Sequence, residues 1–248
     1  MPRFIKAILS SFSAAAFVIV PLLYAGNKSS PAKFQSLFIV NDSIETISPD
    51  AEMESIYDSL KLQKRGLRKE AFKYAWLGYK KLEEEGQLNK EGIITICDFS
   101  QSSKRKRLYL INLKECKLLL NTYVAHGKNS GGEYAKRFSN RPESLQSSLG
   151  FYRTKRTYYG GHGLALTLTG LEPGFNDKAE RRKIVVHGSQ YIGDTYKRWG
   201  KFMGRSFGCP AVPMKQSKIL INTIKDGSCL FIYHPSKNYL SGSKILNG

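Results

Sequence analysis

The sequence of 248 residues is poor in acidic residues, cysteine and histidine. It has 20 Asp and Glu against 39 Lys and Arg, which gives a formal charge of +19 at pH 7. Charged residues make up an ordinary 24% and hydrophobic residues 41%, which excludes a disordered tail protein, a collagen-like fibre and a multi-span membrane protein. A chain of this length buries roughly 70% of its unfolded surface and needs no disulfide scaffold. The basic excess predicts an anionic partner: nucleic acid, lipid headgroups or cell-wall polymer.

The N-terminus carries a long uncharged run, residues 7–25, which follows Arg3 and Lys6. The positive start, the apolar middle and the small residue at the end predict a secretory signal over residues 1–25. An uncleaved membrane anchor is the close alternative, because Leu23 stands where a cleavage site prefers a small residue. Both interpretations place the rest of the chain in the periplasm or cell envelope, either soluble after cleavage or anchored by this segment. No other membrane contact is predicted.

The cysteines are few and widely spaced: Cys97, Cys116, Cys209 and Cys229. Without a C-x-x-C spacing they predict neither a zinc site nor a thioredoxin-type motif. Export would place them in an oxidising compartment, where Cys97 and Cys116, in neighbouring strand-like segments, are candidates for a disulfide. The alternative is that they are small buried hydrophobic residues.

The hydrophobic pattern divides the chain into segments. Residues 26–47 are rich in Ser, Asn and Lys and indicate a linker. Residues 48–90 predict two helices, the first capped by Ser48 and the second ended by Gly86, as an appendage that either packs on the rest or recruits a partner. Residues 91–248 predict a mainly β (α+β) catalytic domain. Its strand-like segments are residues 93–99, 107–113, 116–124, 164–168, 184–186 and 229–233, with a helix at residues 213–224.

Two residues stand out as candidates for chemistry. Cys209 lies in a turn with glycine before it, proline after it and Arg205 nearby, and His187 ends an apolar β run. A nucleophilic cysteine needs a base within reach, a positive environment that lowers the thiol pKa, and donors for an oxyanion. By their spacing alone, a buried structural thiol and a satisfied histidine would be favoured.

Several short sequence motifs, which follow one another in a fixed order, favour the catalytic interpretation of Cys209 and His187 over the structural one. Between about residues 93 and 235 the sequence resembles the L,D-transpeptidase (YkuD-like) catalytic domain, and more closely the murein L,D-transpeptidase branch of that family. The resemblance implies a β-sandwich or barrel-like catalytic fold. The blocks are AHGKNSG at residues 125–131, GHGL at 161–164, GLEPGFND at 170–177, VVHGS at 185–189 and RSFGCPAV at 205–212.

The resemblance also implies roles for individual residues. Cys209 would be the nucleophile and His187 its proton acceptor, with the backbone carbonyl of Gly188 fixing the tautomer of the histidine. Backbone N–H groups around Gly208 and Cys209 would bind the oxyanion. Ser206 matches the Ser/Thr of the family motif and would shape this loop. No metal or organic cofactor is implied.

Two positions depart from the family pattern. Phe207, in the site loop, replaces a histidine, and Ala211 replaces a polar residue on the substrate side. Arg205 or His162 would compensate for the second loss. Ser189 is a further candidate for substrate binding.

The basic residues near the proposed site greatly outnumber Glu180 and Asp194 in the same stretch. Because peptidoglycan peptide stems carry free carboxylates, such a field would concentrate them near Cys209 and help to hold its thiolate. The basic residues are Lys178, Arg181, Arg182, Lys183, Lys197, Arg198, Lys201 and Arg205.

The resemblance predicts a two-step acyl transfer on peptide stems: a thioester forms on Cys209 with release of D-alanine, and an amine acceptor then takes the acyl group. With water as the acceptor the same residues would make an L,D-carboxypeptidase. A non-catalytic cell-wall-binding module is the alternative from another class. The hypothesis of an exported nucleic-acid binder rests only on the positive charge, including the basic run at residues 104–107. No nucleic-acid partner is therefore predicted. The sequence leaves the oligomeric state open.

Overall fold

The computed structural model describes residues 37–40, 43–46, 48–161, 163–199, 202–203 and 205–248. The predicted signal or anchor lies outside these residues, as does most of the predicted linker. Within the linker segment, strands β1 (Leu37–Val40) and β2 (Ser43–Thr46) pair as an antiparallel hairpin. This hairpin belongs to a different compact unit from the chain that runs from Ile47 to Gly248. Among the described residues, no helix is long and apolar enough to cross a membrane.

Two helices open the larger unit, α1 (Pro49–Ser59) and α2 (Lys69–Glu84). Ser48 caps α1, because its hydroxyl oxygen accepts a hydrogen bond from the Ala51 N–H at 3.2 Å. The apolar stripe of α2 is buried, as its helical spacing predicts. The buried residues of the stripe are Phe72, Ala75, Trp76, Tyr79 and Leu82.

The helices share one hydrophobic core with the strands that follow them. A Cβ at Gly78 of α2 would come within 2.0 Å of the Phe151 ring, so the helix lies directly on this part of the core. The helical segment therefore packs on the rest of the domain, which is one of the two alternatives that the sequence left open. The chain from Ile47 to Gly248 forms one compact unit, so no division between units falls between residues 90 and 91, where the catalytic domain was predicted to begin.

The rest of the unit is one mixed sheet with short helices. Its strands are β3 (Ile93–Asp98), β4 (Leu108–Asn112), β5 (Lys117–Thr122), β6 (Gly150–Gly160), β7 (Gly163–Gly170), β8 (Val185–Ser189), β9 (Ala211–Pro213) and β10 (Cys229–Tyr233). Its helices are α3 (Asp194–Trp199), α4 (Met214–Ile224), α5 (Lys237–Gly242) and α6 (Lys244–Asn247). The eight strands run in the order β5-β4-β3-β10-β6-β7-β8-β9, with β3–β10 and β8–β9 parallel and the other neighbours antiparallel.

The sheet nearly closes on itself. Beyond β5, the Ala125 N–H donates to the Ala211 carbonyl in β9, the opposite edge strand, at 2.8 Å. A mainly β, barrel-like domain with N-terminal helices is thus confirmed. The closure brings the segment after β5 against the segment that leads into β9, and this second segment contains Cys209.

The block GLEPGFND contributes to the fold through a buried carboxyl. Glu172 accepts hydrogen bonds from the Phe151 N–H at 2.7 Å, from the Tyr239 hydroxyl at 2.9 Å and from the Ser243 hydroxyl. Burial raises the pKa of this carboxyl above its usual value, and the hydrogen bonds oppose that shift. The block therefore ties β6 to the C-terminal helices.

All four cysteines are free thiols. Cys97 is buried in β3, whereas Cys116 is exposed in the turn between β4 and β5, so the two do not pair. Of these two cysteines, only Cys97 is a buried hydrophobic residue.

Candidate active site

Cys209 lies just before β9 and is partly buried. Its sulfur accepts a hydrogen bond from the Val185 N–H at 3.5 Å and donates its own proton toward the Lys183 carbonyl, with sulfur and oxygen 3.7 Å apart. Lys183 has a φ of 54°, a left-handed conformation that is uncommon for a residue with a side chain. The turn that opens β8 therefore holds the thiol between a backbone donor and a backbone acceptor.

His187 lies on β8, the strand beside the one that Cys209 enters. The two strands are parallel, and His187 is the Cα partner of Ala211, two residues after Cys209. The His187 side chain is buried, and its Nδ1 lies 3.0 Å from the Gly188 carbonyl oxygen. With a proton on Nδ1 the ring donates to this carbonyl, and Nε2 becomes the basic nitrogen.

Gly188 fills a position with no room for a side chain. A Cβ there would come within 2.6 Å of the Ser217 hydroxyl oxygen and 2.8 Å of the Met214 sulfur, both on α4. Close packing of α4 against β8 thus fixes the backbone whose carbonyl contacts His187.

Ser206 organises the loop that carries Cys209. Its hydroxyl donates to the Cys209 carbonyl at 2.6 Å and accepts from the Gly208 N–H at 3.1 Å. Its backbone N–H donates to the His126 carbonyl at 3.0 Å. The Gly208 N–H, predicted to bind an oxyanion, is therefore engaged, and it reaches such a group only after its bond to Ser206 breaks.

The other predicted site residues take different positions. Phe207 is 69% exposed, and the Lys128 ammonium lies 4.9 Å from its ring centroid. Arg205 is exposed and donates through Nη1 to the carbonyls of Lys128 and Gly131 at 2.9 and 3.0 Å, so it ties two loops together. Ser189 is buried at the end of β8. His162 lies outside the described residues.

A buried cation and a neutral histidine lie beneath the loop, and the sequence did not mark them as a pair. The Arg107 side chain is fully buried and donates to the Val124 carbonyl and to His126 Nδ1, the latter at 2.8 Å. Burial and the Arg107 charge lower the pKa of His126 to about 3, so its ring is neutral. The run at residues 104–107 is therefore not a continuous basic surface, since Arg107 is interior and Lys104 pairs with Glu133 at 3.7 Å.

Burial and a nearby cation act in opposite directions on the Cys209 thiol. Burial raises the pKa of the Cys209 thiol, and this effect outweighs the Val185 N–H and the Arg182 charge, which both favour the thiolate. The Arg182 charge thus acts in the predicted direction on the thiol pKa, but burial has the larger effect.

The basic residues around the site fall into two groups. Lys178, Arg181, Lys183, Lys197 and Arg205 are exposed, and Arg182 alone among those whose side chains are described is partly buried. Lys201 and the Arg198 side chain lie outside the described part of the molecule. The exposed members are open to solvent, whereas Arg182 is the basic residue whose charge acts on the Cys209 thiol.

Comparison with known proteins identifies the family to which the chain belongs. The family model for the L,D-transpeptidase catalytic domain matches residues 63–233. No curated protein matches the chain. Among solved structures, an L,D-transpeptidase from Mycobacterium smegmatis is 9% identical with a TM-score of 0.35, over 58% of this chain and 59% of the other.

Two further solved structures are similarly distant. The helical cell shape determining protein Pgp2 from Campylobacter jejuni (K307A mutant) is 17% identical with a TM-score of 0.40, over 65% of this chain and 57% of the other. An L,D-transpeptidase from Stackebrandtia nassauensis is 14% identical with a TM-score of 0.33, over 81% of this chain and 84% of the other. This chain thus spans less than two thirds of the length of the first two. The family match, which covers more than half of the chain, shows that the protein belongs to the L,D-transpeptidase catalytic domain family.

Proposed function

We propose that the protein is an exported cysteine acyltransferase that acts on peptidoglycan peptide stems. The observation that carries the proposal is the contact of His187 Nδ1 with the Gly188 carbonyl on the strand beside Cys209. A backbone carbonyl in that position leaves Nε2 as the nitrogen that accepts a proton. Membership of the L,D-transpeptidase family supports the class of reaction and the class of substrate.

The first half-reaction forms a thioester. His187 takes the thiol proton, and the Cys209 sulfur attacks the carbonyl at the L-centre of diaminopimelate in the donor stem. The Gly208 N–H leaves the Ser206 hydroxyl to stabilise the tetrahedral oxyanion, and the Ser206 hydroxyl keeps its hydrogen bond to the Cys209 carbonyl. The bond to D-alanine then breaks, and His187 returns the proton to the leaving amine.

The second half-reaction releases the enzyme. A side-chain amine of another stem attacks the thioester carbonyl and gives its proton to His187. The carbon–sulfur bond breaks, Cys209 leaves as a thiolate and takes back the proton, and a new amide joins the two stems. If water attacks instead, the stem leaves with a free carboxylate and the reaction is that of an L,D-carboxypeptidase.

The test is incubation of the purified protein with muropeptide tetrapeptides, followed by mass spectrometry. We expect release of D-alanine together with crosslinked dimers. Release of D-alanine with tripeptide products and no dimers would show that the protein is an L,D-carboxypeptidase and not a transferase. Binding to peptidoglycan without any turnover would contradict both enzymes and favour the wall-binding module.

The surface charge leads to a salt-dependent rate. The exposed basic residues near Cys209 would attract the carboxylates of a stem, and salt screens attraction between exposed charges. We expect kcat/KM for the tetrapeptide to fall severalfold as ionic strength rises, while kcat changes little. A stem whose carboxylates are amidated is the matched control and should respond weakly. A flat salt profile would contradict a role for this charge in substrate capture.

Export is the remaining part of the proposal, and it rests on the sequence of residues 1–25. The mass of the N-terminal peptide of the protein taken from the cell envelope distinguishes the two interpretations. Loss of residues 1–25 corresponds to a cleaved signal, and their retention in a membrane fraction to an anchor. Recovery of the intact chain in the cytoplasm would contradict export.

A further inference from the structure

We propose that Arg182 is a positioning residue of the Cys209 site: it fastens the segment 139–148 against the loop that carries Cys209, and its guanidinium stabilises the ionised sulfur. This inference rests on the proposed role of Cys209 as nucleophile. Among the basic residues predicted to surround the site, Arg182 alone is assigned this role.

The first support is the number of hydrogen bonds that Arg182 donates to a single segment. Nη1 donates to the Ser139 carbonyl at 2.7 Å and to the Ser148 hydroxyl. Nη2 donates to the Gln146 carbonyl at 2.6 Å and to the Ser144 hydroxyl at 3.2 Å. The planar guanidinium presents its donors in a fixed fork, which a lysine ammonium cannot reproduce. A segment of irregular structure is thus held at both ends by one side chain.

The second support is contact between this segment and the nucleophile loop. Gly208 has a φ of 124°, and a Cβ there would come within 2.8 Å of the Gln146 carbonyl oxygen and 3.3 Å of Arg182 Nη2. The Ser147 hydroxyl donates to the Gly208 carbonyl at 3.1 Å. The residue immediately before Cys209 therefore rests on the Arg182 side chain and on the carbonyl that Arg182 holds.

The third support is the state of the Arg182 charge. The side chain is partly buried, and among the ion pairs of the described residues none involves Arg182. Its bonds go to carbonyl and hydroxyl oxygens, which leave the positive charge uncompensated. That charge favours the thiolate of Cys209 and opposes the effect of burial. A cation that four partners hold against Gly208, the residue before Cys209, is suited to this task.

The experiment measures how the alkylation rate of Cys209 by iodoacetamide depends on pH. Cys116 is exposed and would also react, so all variants carry Cys116→Asn, a residue that tolerates the left-handed backbone at that position. The Cys209 peptide is followed by mass spectrometry. The variants are Arg182→Met, which removes the charge, and Arg182→Lys, which keeps the charge and loses the fork. Arg181→Met is the matched control, because Arg181 is the exposed neighbour.

We expect Arg182→Met to move the midpoint of the alkylation profile up by about 1 pH unit. Arg182→Lys should shift the midpoint less and still lower kcat for the tetrapeptide at least tenfold with little change in KM, since the loop is no longer held. Arg181→Met should leave the midpoint unchanged.

Three outcomes would overturn the proposal. They are an unchanged midpoint in a folded Arg182→Met protein, an Arg182→Lys protein with the kcat of the parent, and a parent Cys209 that stays unmodified at every pH. If Arg182→Met does not fold, the kcat of the Arg182→Lys protein tests the proposal instead. Alkylation requires no substrate, so a shifted midpoint in a protein that releases no D-alanine would refute the proposed function and leave the coupling of Arg182 to Cys209 intact.

Discussion

Cys209→Ala is expected to lower the rate of D-alanine release on the order of 10⁴-fold. Alanine has no atom that can attack the stem carbonyl. Among the described cysteines, Cys97 and Cys229 are buried and Cys116 lies in the turn between β4 and β5, so none replaces the lost nucleophile. The change removes one partly buried sulfur and two hydrogen bonds, so the fold should survive it with a small loss of stability. Tetrapeptide turnover by mass spectrometry, with circular dichroism to check folding, measures the effect.

Cys116→Asn provides the matched control for the loss of a thiol outside the core. Its turnover should stay within twofold of the parent protein. A carbapenem supplies a second readout, because the family resemblance implies an adduct on the nucleophile. The adduct should form in the parent and in Cys116→Asn and be absent from Cys209→Ala. Turnover that survives in Cys209→Ala would contradict the assignment of the nucleophile.

His187→Gln is expected to lower kcat by about 10³-fold near neutral pH. Glutamine keeps polar atoms of similar reach, so contact with the Gly188 carbonyl can be retained, yet it cannot accept the thiol proton. Because burial raises the pKa of Cys209, little thiolate forms near neutral pH without a base. The fraction of thiolate then grows as pH rises toward that pKa, so the variant should recover part of its activity in alkaline solution. The pH profile of kcat measures this recovery.

His234→Gln is the control for loss of an imidazole. His234 follows β10 and packs against Phe138, with 4.9 Å between the ring centroids. Its replacement should affect stability more than turnover. Activity retained by His187→Gln at neutral pH, or an equal loss in both variants, would argue against His187 as the base.

Local sequence patterns were sufficient to predict much of the fold. Ser48 followed by proline and acidic residues predicted the start of α1, and the spacing of aromatic residues predicted the buried face of α2. Period-two patterns predicted β3, β4, β5 and β10, and Pro213 marked the start of α4. In each case the signal lies within a few residues of the element that it predicts.

Other elements carry no such signal. The second half of strand β6 is exposed and contains Lys155 and Arg156, so the strand lacks the alternation of a half-buried strand. Strand β9 has three residues and ends in a proline, and only its pairing with β8 identifies it. Such elements are defined by contacts with distant parts of the chain.

The candidate site likewise combines features that have a local sequence signal with features that depend on distant contacts. The motifs at His187 and Cys209 could be found in the sequence, but the partners that position them could not. Arg182 reaches residues about 40 positions earlier in the chain, and Arg107 reaches His126 across β4 and β5. The direction of the Cys209 pKa shift likewise depends on burial, which the density of nearby basic residues does not reveal. The charge of +19 therefore includes exposed residues that would attract substrate, the buried Arg107 and the partly buried Arg182.

The central claim is that Cys209 carries the acyl group during the reaction. The most direct measurement is intact-protein and peptide mass spectrometry after brief incubation with a tetrapeptide stem and acid quenching. The account predicts an adduct equal to the stem minus D-alanine, on the peptide that contains Cys209, and its absence from Cys209→Ala. D-alanine release without an adduct on Cys209, or with the adduct on another residue, would contradict it.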